Sequence, residues 1–145
     1  MAKPKVMVAV CDTHSVESLT TLACQLVTSM GGELTALHVV EIPPATPLGA
    51  EDEILDHPGK ELLSVAKRVA GRFSVPITTQ LVRAREVGEV IVDEAKVQGM
   101  DLLVMGHRRP GHHPLGEILL GSTVHHVAHH TPCRVIVQIL PPEHS

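Results

Sequence analysis

Aromatic residues and basic surfaces are scarce in this 145-residue chain. Phe73 is its single aromatic residue, and Trp and Tyr are absent, so the chain offers no stacking platform for unpaired bases. Lys and Arg total 12 against 16 Asp and Glu, which gives a formal net charge of -4. A broad phosphate-binding surface needs clustered cations instead. Both observations argue against a nucleic-acid partner.

Cysteines are few and hydrophobic runs are short. Cys11, Cys24 and Cys133 are odd in number and include no C-x-x-C pair, which is wrong for a disulfide scaffold or a zinc knuckle. No run approaches the roughly 20 apolar residues that cross a bilayer, and no signal-peptide-like stretch follows the first lysines. We therefore expect a cytoplasmic protein without membrane insertion. We also expect one domain over residues 1–145, with its core between residues 4 and 140.

Short apolar, β-branched runs alternate with segments of helical periodicity. The predicted strands cover residues 5–11, 34–40, 76–82, 101–105 and 134–139. The predicted helices run from 15 to 30, from just after Pro58-Gly59, from 87 to 98 and from 122 to 130. This alternation predicts an α/β fold: a single doubly wound domain with a five-stranded parallel sheet and four helices on its two faces. Ligands of such sheets bind outside the carboxyl ends of the strands, where the winding direction reverses.

Glycines punctuate the segment between the fourth strand and the last helix. Glycine lets the backbone approach a ligand closely, and a helix N-terminus presents unpaired N–H groups. The groups that together suit a phosphate chain are Gly106, Arg108, Arg109, Gly111, Gly116, Gly121, Ser122 and Thr123. The alternative interpretation is that these glycines only form turns and that Ser122 only caps the helix. Neither G-x-x-x-x-G-K-[ST] nor G-x-G-x-x-G occurs, so we expect binding rather than fast phosphoryl transfer.

Five short motifs are spread over the chain: V-A-V at 8–10, L-H-V-V at 37–40, D-L-L-V-M-G at 101–106, L-G-E-I-L-L-G-S at 115–122 and P-C-R-V-I-V at 132–137. With these motifs the whole chain resembles a universal stress protein domain. The resemblance implies a Rossmann-like fold of the adenine nucleotide alpha hydrolase type. It also implies an adenine nucleotide ligand, ATP with ADP or AMP as alternatives and with or without Mg, in a sensor or regulator of the stress response. Hydrolysis would be slow at most.

The nucleotide-binding members of that family carry glycine, two residues, glycine, nine residues, glycine and then Ser or Thr. The stretch from Gly111 to Ser122 matches this pattern. The first spacing differs, because four residues lie between Gly106 and Gly111 instead of two. Those members also have an aspartate directly after the first strand, where this chain has Cys11 and then Asp12. The resemblance implies binding by the backbone of Val39 at the adenine edge, by Gly106, Gly111 and Gly121 along the phosphates, and by Ser122 and Thr123 as hydroxyl donors. The predicted binding set is completed by Cys11, Asp12 and Thr13, which follow the first strand, and by Arg108, which brings positive charge to the loop.

Eleven histidines are the unusual feature of the composition, and seven of them lie between residues 107 and 130. On the last helix His125 and His129, like His126 and His130, are one turn apart, a spacing that can chelate a divalent metal. A structural zinc site wants four ligands, and the metalloprotease motif needs a glutamate that is missing here. We therefore favour a solvated helix face and assign no metal site, with metal binding or a pH-responsive surface as alternatives. His38, alone in a buried strand, is expected to be a hydrogen-bonded core residue.

Patterns typical of catalysis are weak. There is no G-x-S-x-G motif, and Cys11 is a free thiol without an evident activating partner. The acidic residues Asp52, Glu53 and Asp56 are interpreted as a solvated run. We therefore expect a binding protein rather than an enzyme.

The last strand, from Arg134 to Ile139, is apolar and is expected at a sheet edge, where it could pair with another chain. The family resemblance implies a homodimer through this strand. The alternative is that residues 141–145 cover the edge in a monomer. The rival function is a nucleotide-free interaction module of the same fold, such as one associated with a transporter.

Overall fold

Strands and helices alternate along the chain in the predicted order. A computed structural model describes residues 2–49, 52–108 and 121–140. The strands are β1 (Lys5–Ala9), β2 (Glu33–Glu41), β3 (Ile77–Ala84), β4 (Leu102–Arg108) and β5 (Arg134–Leu140). The helices are α1 (Val16–Met30), α2 (Glu53–Arg72), α3 (Val87–Val97) and α4 (Ser122–His130). No helix among the described residues is both long enough and apolar enough to cross a bilayer.

The strands form one parallel sheet in the order β3-β2-β1-β4-β5. The chain builds outward from β1 through β2 to β3, and it then returns to the other side of β1 to add β4 and β5. The winding direction therefore reverses at β1 and β4, and β5 lies at an edge of the sheet. The predicted doubly wound α/β fold with a five-stranded parallel sheet is confirmed.

Alternate side chains of the central strands enter two separate cores. Val6 and Val8 pack with α1 and α2 on one face, whereas Met7 and Ala9 pack with α3 and α4 on the other. Successive side chains of a strand point to opposite faces, so a strand that helices cover on both sides is apolar throughout. This arrangement places α4 and α3 on the same face of the sheet, beside the reversal point.

β1 is shorter than the predicted strand over residues 5–11 and ends at Ala9. The Val10 N–H still donates to the Leu37 carbonyl at 2.9 Å, but the Val10 carbonyl accepts from the His38 ring Nδ1 at 2.7 Å. A carbonyl oxygen can only accept, so Nδ1 carries the proton. The side chain of His38 therefore takes the place of the next ladder partner, and the expected hydrogen bond of this histidine is confirmed.

α2 begins well before Pro58-Gly59, so the predicted start of this helix is wrong. Oδ1 of Asp52 accepts from the N–H groups of Ile54 and Leu55 at 3.0 and 3.2 Å, which caps the helix at its true start. A proline inside a helix removes one N–H donor and normally disfavours the preceding turn. The cap satisfies two N–H groups of that turn and helps the helix to form despite the proline.

Asp56 is buried, which corrects its interpretation as part of a solvated run. The residue is 3% exposed, and Arg83 of β3 donates from Nε to Asp56 Oδ1 at 3.0 Å and from Nη2 to Oδ2. This hydrogen-bonded guanidinium holds the pKa of the Asp56 carboxyl below its ordinary value, although burial acts in the opposite direction. The bidentate pair ties α2 to β3.

β4 continues three residues beyond the predicted strand over 101–105, because β5 offers backbone partners as far as its last residue. Gly106 pairs with Gln138, and Arg108 pairs with Leu140. Residues 106–108 of the predicted turn from Gly106 to Gly121 therefore belong to β4, and residues 109–120 lie outside the described part of the structure. This corrects the assignment of Gly106 to a loop.

We predict that Gly59→Ala destabilises the protein. A Cβ at Gly59 would lie 2.4 Å from Cδ2 of His38, and that ring cannot retreat without losing its hydrogen bond to Val10. Overpacking of this kind costs about 1–3 kcal/mol in the free energy of unfolding. Urea denaturation monitored by circular dichroism measures the change.

The matched control for this prediction is Gly71→Ala in the same helix, where an added Cβ meets nothing within 4 Å. This change should stabilise the protein by up to about 1 kcal/mol, since alanine favours helix over glycine. Equal effects of the two substitutions would show that the His38 contact does not constrain position 59.

Candidate functional site

A cleft of about 530 Å³ opens at the carboxyl ends of β1, β2 and β4. Its volume lies in the range typical of small-molecule sites. Seven of the predicted binding residues line it: Cys11, Asp12, Val39, Gly106, Gly121, Ser122 and Thr123. Residues on three strands and on the first turn of α4 thus come together where the winding direction reverses, as expected for this class of sheet.

Three predicted residues do not contribute described side chains to the cleft. Thr13 lies in the exposed turn before α1 and is not among the lining residues. Arg108 is the last residue of β4, but the description of the structure includes only its backbone and not its side chain. Gly111, together with Arg109 and Gly116, also lies outside the described residues. The described walls of the cleft are therefore those formed by the strands, the residues that follow them and the helices.

The backbone of Val39 faces the cleft because β2 runs past the end of β1. Backbone N–H and C=O groups of alternate strand residues point to the same neighbouring strand. Leu37 bonds to the β1 side through Val10, whereas Ile42 bonds to Ala84 on the β3 side. Val39 therefore directs both its N–H and its C=O toward the β1 side, where that strand has ended. One residue offers a donor and an acceptor side by side.

The first turn of α4 presents a second set of backbone donors. The first intrahelical bond runs from the His125 N–H to the Gly121 carbonyl at 3.0 Å. The N–H groups of Ser122, Thr123 and Val124 precede it and have no intrahelical acceptor, and no side chain among the described residues caps the helix. The partial positive charge at this end of the helix favours an anion.

Asp12 has a structural role at the start of α1. Oδ1 of Asp12 accepts from the Ser15 N–H at 2.8 Å and from the Ser15 hydroxyl at 3.0 Å. Ser15 is the N-cap residue of α1, but its side chain makes no capping bond to the helix. The aspartate is bound to the start of α1 while it lines the cleft, and this fixes the position of its carboxylate.

The thiol of Cys11 lies exposed at the cleft mouth but is poorly ionised. The walls of the cleft displace water from the sulfur, and this desolvation raises its pKa to about 11; the negative charge of Asp12 acts in the same direction. Since the thiolate is the reactive form of cysteine, this raised pKa leaves Cys11 mostly in the protonated, less reactive form at neutral pH. Its side chain can contribute packing to a ligand.

His107 is a cleft residue that the site assignment from sequence did not include. Its ring lies 3.9 Å from the position that a Cβ at Gly121 would occupy, and its buried Nε2 has no hydrogen-bond partner among the described residues. The available signal is strand alternation, since His107 follows Met105 by two and so shares its face of the sheet. Met105, Leu37 and Ile91 form apolar walls that were also missed, and the same alternation identifies the first two.

The glycines at the cleft are not required by contacts within the described protein. A Cβ at Gly106 would meet Leu19 at 3.6 Å, which is ordinary contact, and one at Gly121 would meet His107 at 3.9 Å. Neither residue has a positive φ. A Cβ at Gly121 would lie on the cleft side near His107, so the small size of Gly121 leaves space that a side chain would take from a ligand. A Cβ at Gly106 would instead point toward Leu19 of α1, on the face of the sheet opposite Met105.

The charges on the described cleft walls are acidic. Asp12 and Glu41 line the cleft, and no lysine or arginine side chain is among the described lining residues. The positive potential in this part of the site therefore comes from the backbone N–H groups of α4 and, when protonated, from imidazoles. Such a surface suits a ligand with a large neutral portion and a small anionic portion.

We predict that alkylation of Cys11 by iodoacetamide is slow at pH 7–8 and rises about tenfold per pH unit toward a midpoint near pH 11, because only the thiolate reacts. Peptide mass spectrometry assigns the label to Cys11 rather than to buried Cys24. The control is the same peptide in urea, which should titrate near the ordinary thiol pKa of roughly 8.5. A reactivity plateau by pH 9 in the folded protein would contradict the assignment.

Known proteins share both the sequence pattern and the fold described above. Residues 4–138 match the Universal stress protein family. A universal stress protein of Methanocaldococcus jannaschii is 32% identical over 121 residues, which cover 79% of this chain and 69% of that protein.

Solved structures superpose well on this fold. The universal stress protein of Archaeoglobus fulgidus in complex with dAMP has a TM-score of 0.73 at 19% identity, covering 94% of this chain and 98% of that one. A universal stress protein family protein of Arabidopsis thaliana with AMP bound has a TM-score of 0.64 at 20% identity, covering 94% and 91%. The family match spans nearly all of the fold, including every strand that borders the cleft, and the chain belongs to the universal stress protein family.

Proposed function

We propose that this protein binds an adenine nucleotide in the cleft at the carboxyl ends of β1, β2 and β4. The observation that carries the proposal is the juxtaposition of the outward-facing Val39 backbone with the N–H groups at the start of α4, which have no intrahelical acceptor. The first suits the edge of a base and the second suits a phosphate. The complexes of relatives with dAMP and AMP support the same ligand class.

Adenine matches the Val39 backbone better than guanine does. Adenine presents its exocyclic amino group as a donor next to a ring nitrogen that accepts, whereas guanine has an acceptor oxygen at the corresponding position. A backbone C=O and N–H of one residue complement the adenine arrangement and oppose that of guanine. The apolar side chains of Leu37, Ile91 and Met105 line the same cleft and offer a dry environment for the base.

The phosphate would lie at the first turn of α4. The N–H groups of Ser122, Thr123 and Val124 are the donors, and the two hydroxyls add side-chain bonds. The described walls of the cleft supply these donors but no lysine or arginine side chain. We therefore assign them to one phosphate group, the one nearest the nucleoside. The further phosphates of ATP, and Mg with them, would depend on residues 108–120, which include Arg108, Arg109 and Gly111.

We propose binding coupled to regulation rather than turnover. Family membership supports a role in stress response, and a poorly ionised Cys11 supports a site that holds its ligand without covalent chemistry. The rival is a nucleotide-free interaction module, and the experiment below separates the two.

We predict that AMP and ATP raise the melting temperature and give a dissociation constant by isothermal titration calorimetry, while GMP binds at least tenfold more weakly. A ligand that binds only the native state stabilises it in proportion to its concentration over Kd. Gly121→Val should abolish the nucleotide effect, because the isopropyl group would occupy the cleft at the start of α4.

The control variant is Gly31→Asn, at a helix end far from the cleft in sequence, whose positive φ asparagine tolerates. This variant should bind like the wild type. Absence of a shift with millimolar AMP, ADP and ATP would favour the interaction module. Equal affinities for AMP and GMP would show that the Val39 backbone does not recognise the edge of the adenine base.

We also propose that the protein forms a homodimer through β5. This strand lies at the edge of the sheet that the described residues form, with no strand among them on its outer side, and Ile139 on it is 43% exposed. An apolar edge strand is a natural site for pairing, and a two-fold dimer is the commonest closed assembly. The proposed interface runs from Arg134 to Ile139.

We predict that Ile139→Glu converts the dimer to a monomer, because it places a charge in the apolar interface. Size-exclusion chromatography with light scattering measures the mass. Val97→Glu is the matched control, since Val97 is 83% exposed on α3 and away from β5. A monomeric wild type, or an Ile139→Glu variant that remains dimeric, would refute this assembly.

A further inference from the structure

We propose that His126 and His130 of α4 form a binding site for a borderline divalent transition metal ion such as Zn²⁺, Ni²⁺ or Cu²⁺. The site lies on the outer surface of α4, beside α3, and shares no proposed nucleotide donor with the cleft. The centroids of the two imidazole rings are 4.4 Å apart with an interplanar angle of 33°.

The geometry of the pair fits chelation. Two imidazole nitrogens that bind one ion at about 2.0–2.1 Å lie about 3 Å apart at right-angle coordination. The ring centroids are 4.4 Å apart, and chelation would bring one nitrogen of each ring to that spacing by rotation about side-chain torsions, chiefly those of the exposed His130. His residues four apart on a helix supply zinc ligands in this way.

The position of His126 is already fixed by packing. A Cβ at Gly88 of α3 would lie 3.1 Å from Cβ of His126 and 3.3 Å from its Cγ, so the two helices meet here without room for a side chain. His126 is half-buried, whereas His130 is exposed at the last position of α4. One ligand is therefore ordered before the ion arrives, which reduces the entropy lost on binding.

The charges around the pair favour a cation. Glu89 and Asp93, one turn apart on α3, line the same surface depression as His126 and His130, and Lys96 is the single basic residue there. A second depression that reaches His126 is lined by Glu41, Glu86 and Glu89. The negative end of the α4 dipole, at its last residue, adds to this attraction.

The site as described has two protein ligands. No three His, Cys, Asp or Glu side chains converge on one point among the described residues. Water would complete the coordination sphere, and Glu89 or Asp93 could bind directly or hold that water after a rotamer change. Imidazole selects for zinc, copper and nickel over magnesium and calcium, which prefer oxygen ligands.

His125 and His129 provide an internal control. They have the same spacing on the same helix, and their ring centroids are 4.5 Å apart. Both are exposed and share one surface depression with His126 and His130, but neither lines the depression that holds Glu89 and Asp93. A site that depends on the α3 carboxylates should therefore use one pair and not the other.

The test is calorimetric titration of Zn²⁺ into the full chain, prepared without a histidine tag and freed of metal with EDTA. We expect saturable binding to the wild type, which His126→Gln with His130→Gln weakens by roughly tenfold or more, the scale seen when groups around a metal site are removed. The paired variant His125→Gln with His129→Gln should retain wild-type affinity. Glu89→Gln with Asp93→Asn should weaken binding while leaving both imidazoles in place.

A second set of measurements distinguishes loss of a metal ligand from misfolding caused by the substitution of half-buried His126. The exposed single variant His130→Gln should lose affinity while its metal-free melting temperature stays unchanged. NMR of the wild type should show zinc-dependent shifts for the His126 and His130 rings. Equal losses in the two paired variants, or no loss in the His126 and His130 variant, would overturn the proposal.

Discussion

The hydrogen bond between the His38 imidazole and the Val10 carbonyl is the interaction on which the site depends. It uses the acceptor that would otherwise continue the ladder between β1 and β2. β1 consequently ends while β2 runs on, and the backbone of Val39 faces open space rather than a strand. Gly59 permits this arrangement, because any side chain there would collide with the ring. A residue on α2 therefore helps to create a cleft that α2 does not line.

The sequence predicts the architecture well where burial dictates the residue pattern. The central strands are apolar on both faces, and the bounds of α4 follow from its periodicity and from Gly121. The errors occur where a single polar contact overrides a local preference. Asp52 caps α2 ahead of Pro58, and the partners offered by β5 draw Gly106 into β4. The pairing of β4 with β5 has no signature in a window of neighbouring residues, whereas the Asp52 cap is a local signal that competes with the helix-breaking signal of Pro58.

The site shows the same division. Residues next to strand ends could be placed from topology alone, since parallel strands bring their carboxyl ends to one edge. His107 and the apolar walls could not be assigned without knowing which face each strand turns toward α3 and α4. The hydrogen bonds of Asp12 to Ser15 at the start of α1 could not be predicted either. An aspartate that stabilises this turn and one that binds a ligand occupy nearly the same position in the sequence.

α4 connects the two proposed sites by its electrostatics. Its first turn directs N–H groups without an intrahelical acceptor into the cleft, and its last residue is one of the proposed metal ligands. A helix of nine residues is about 13 Å long and is marginal by itself in water. An anion at its N-terminus and a cation near its C-terminus would each favour the helical state. α4 is already packed on the sheet through Val124 and Val127, so each ligand would stabilise further the helix that carries the other, whereas their contacts remain separate. Nucleotide and metal affinity can accordingly be linked through the stability of one short helix, with no shared residue and no change in the sheet.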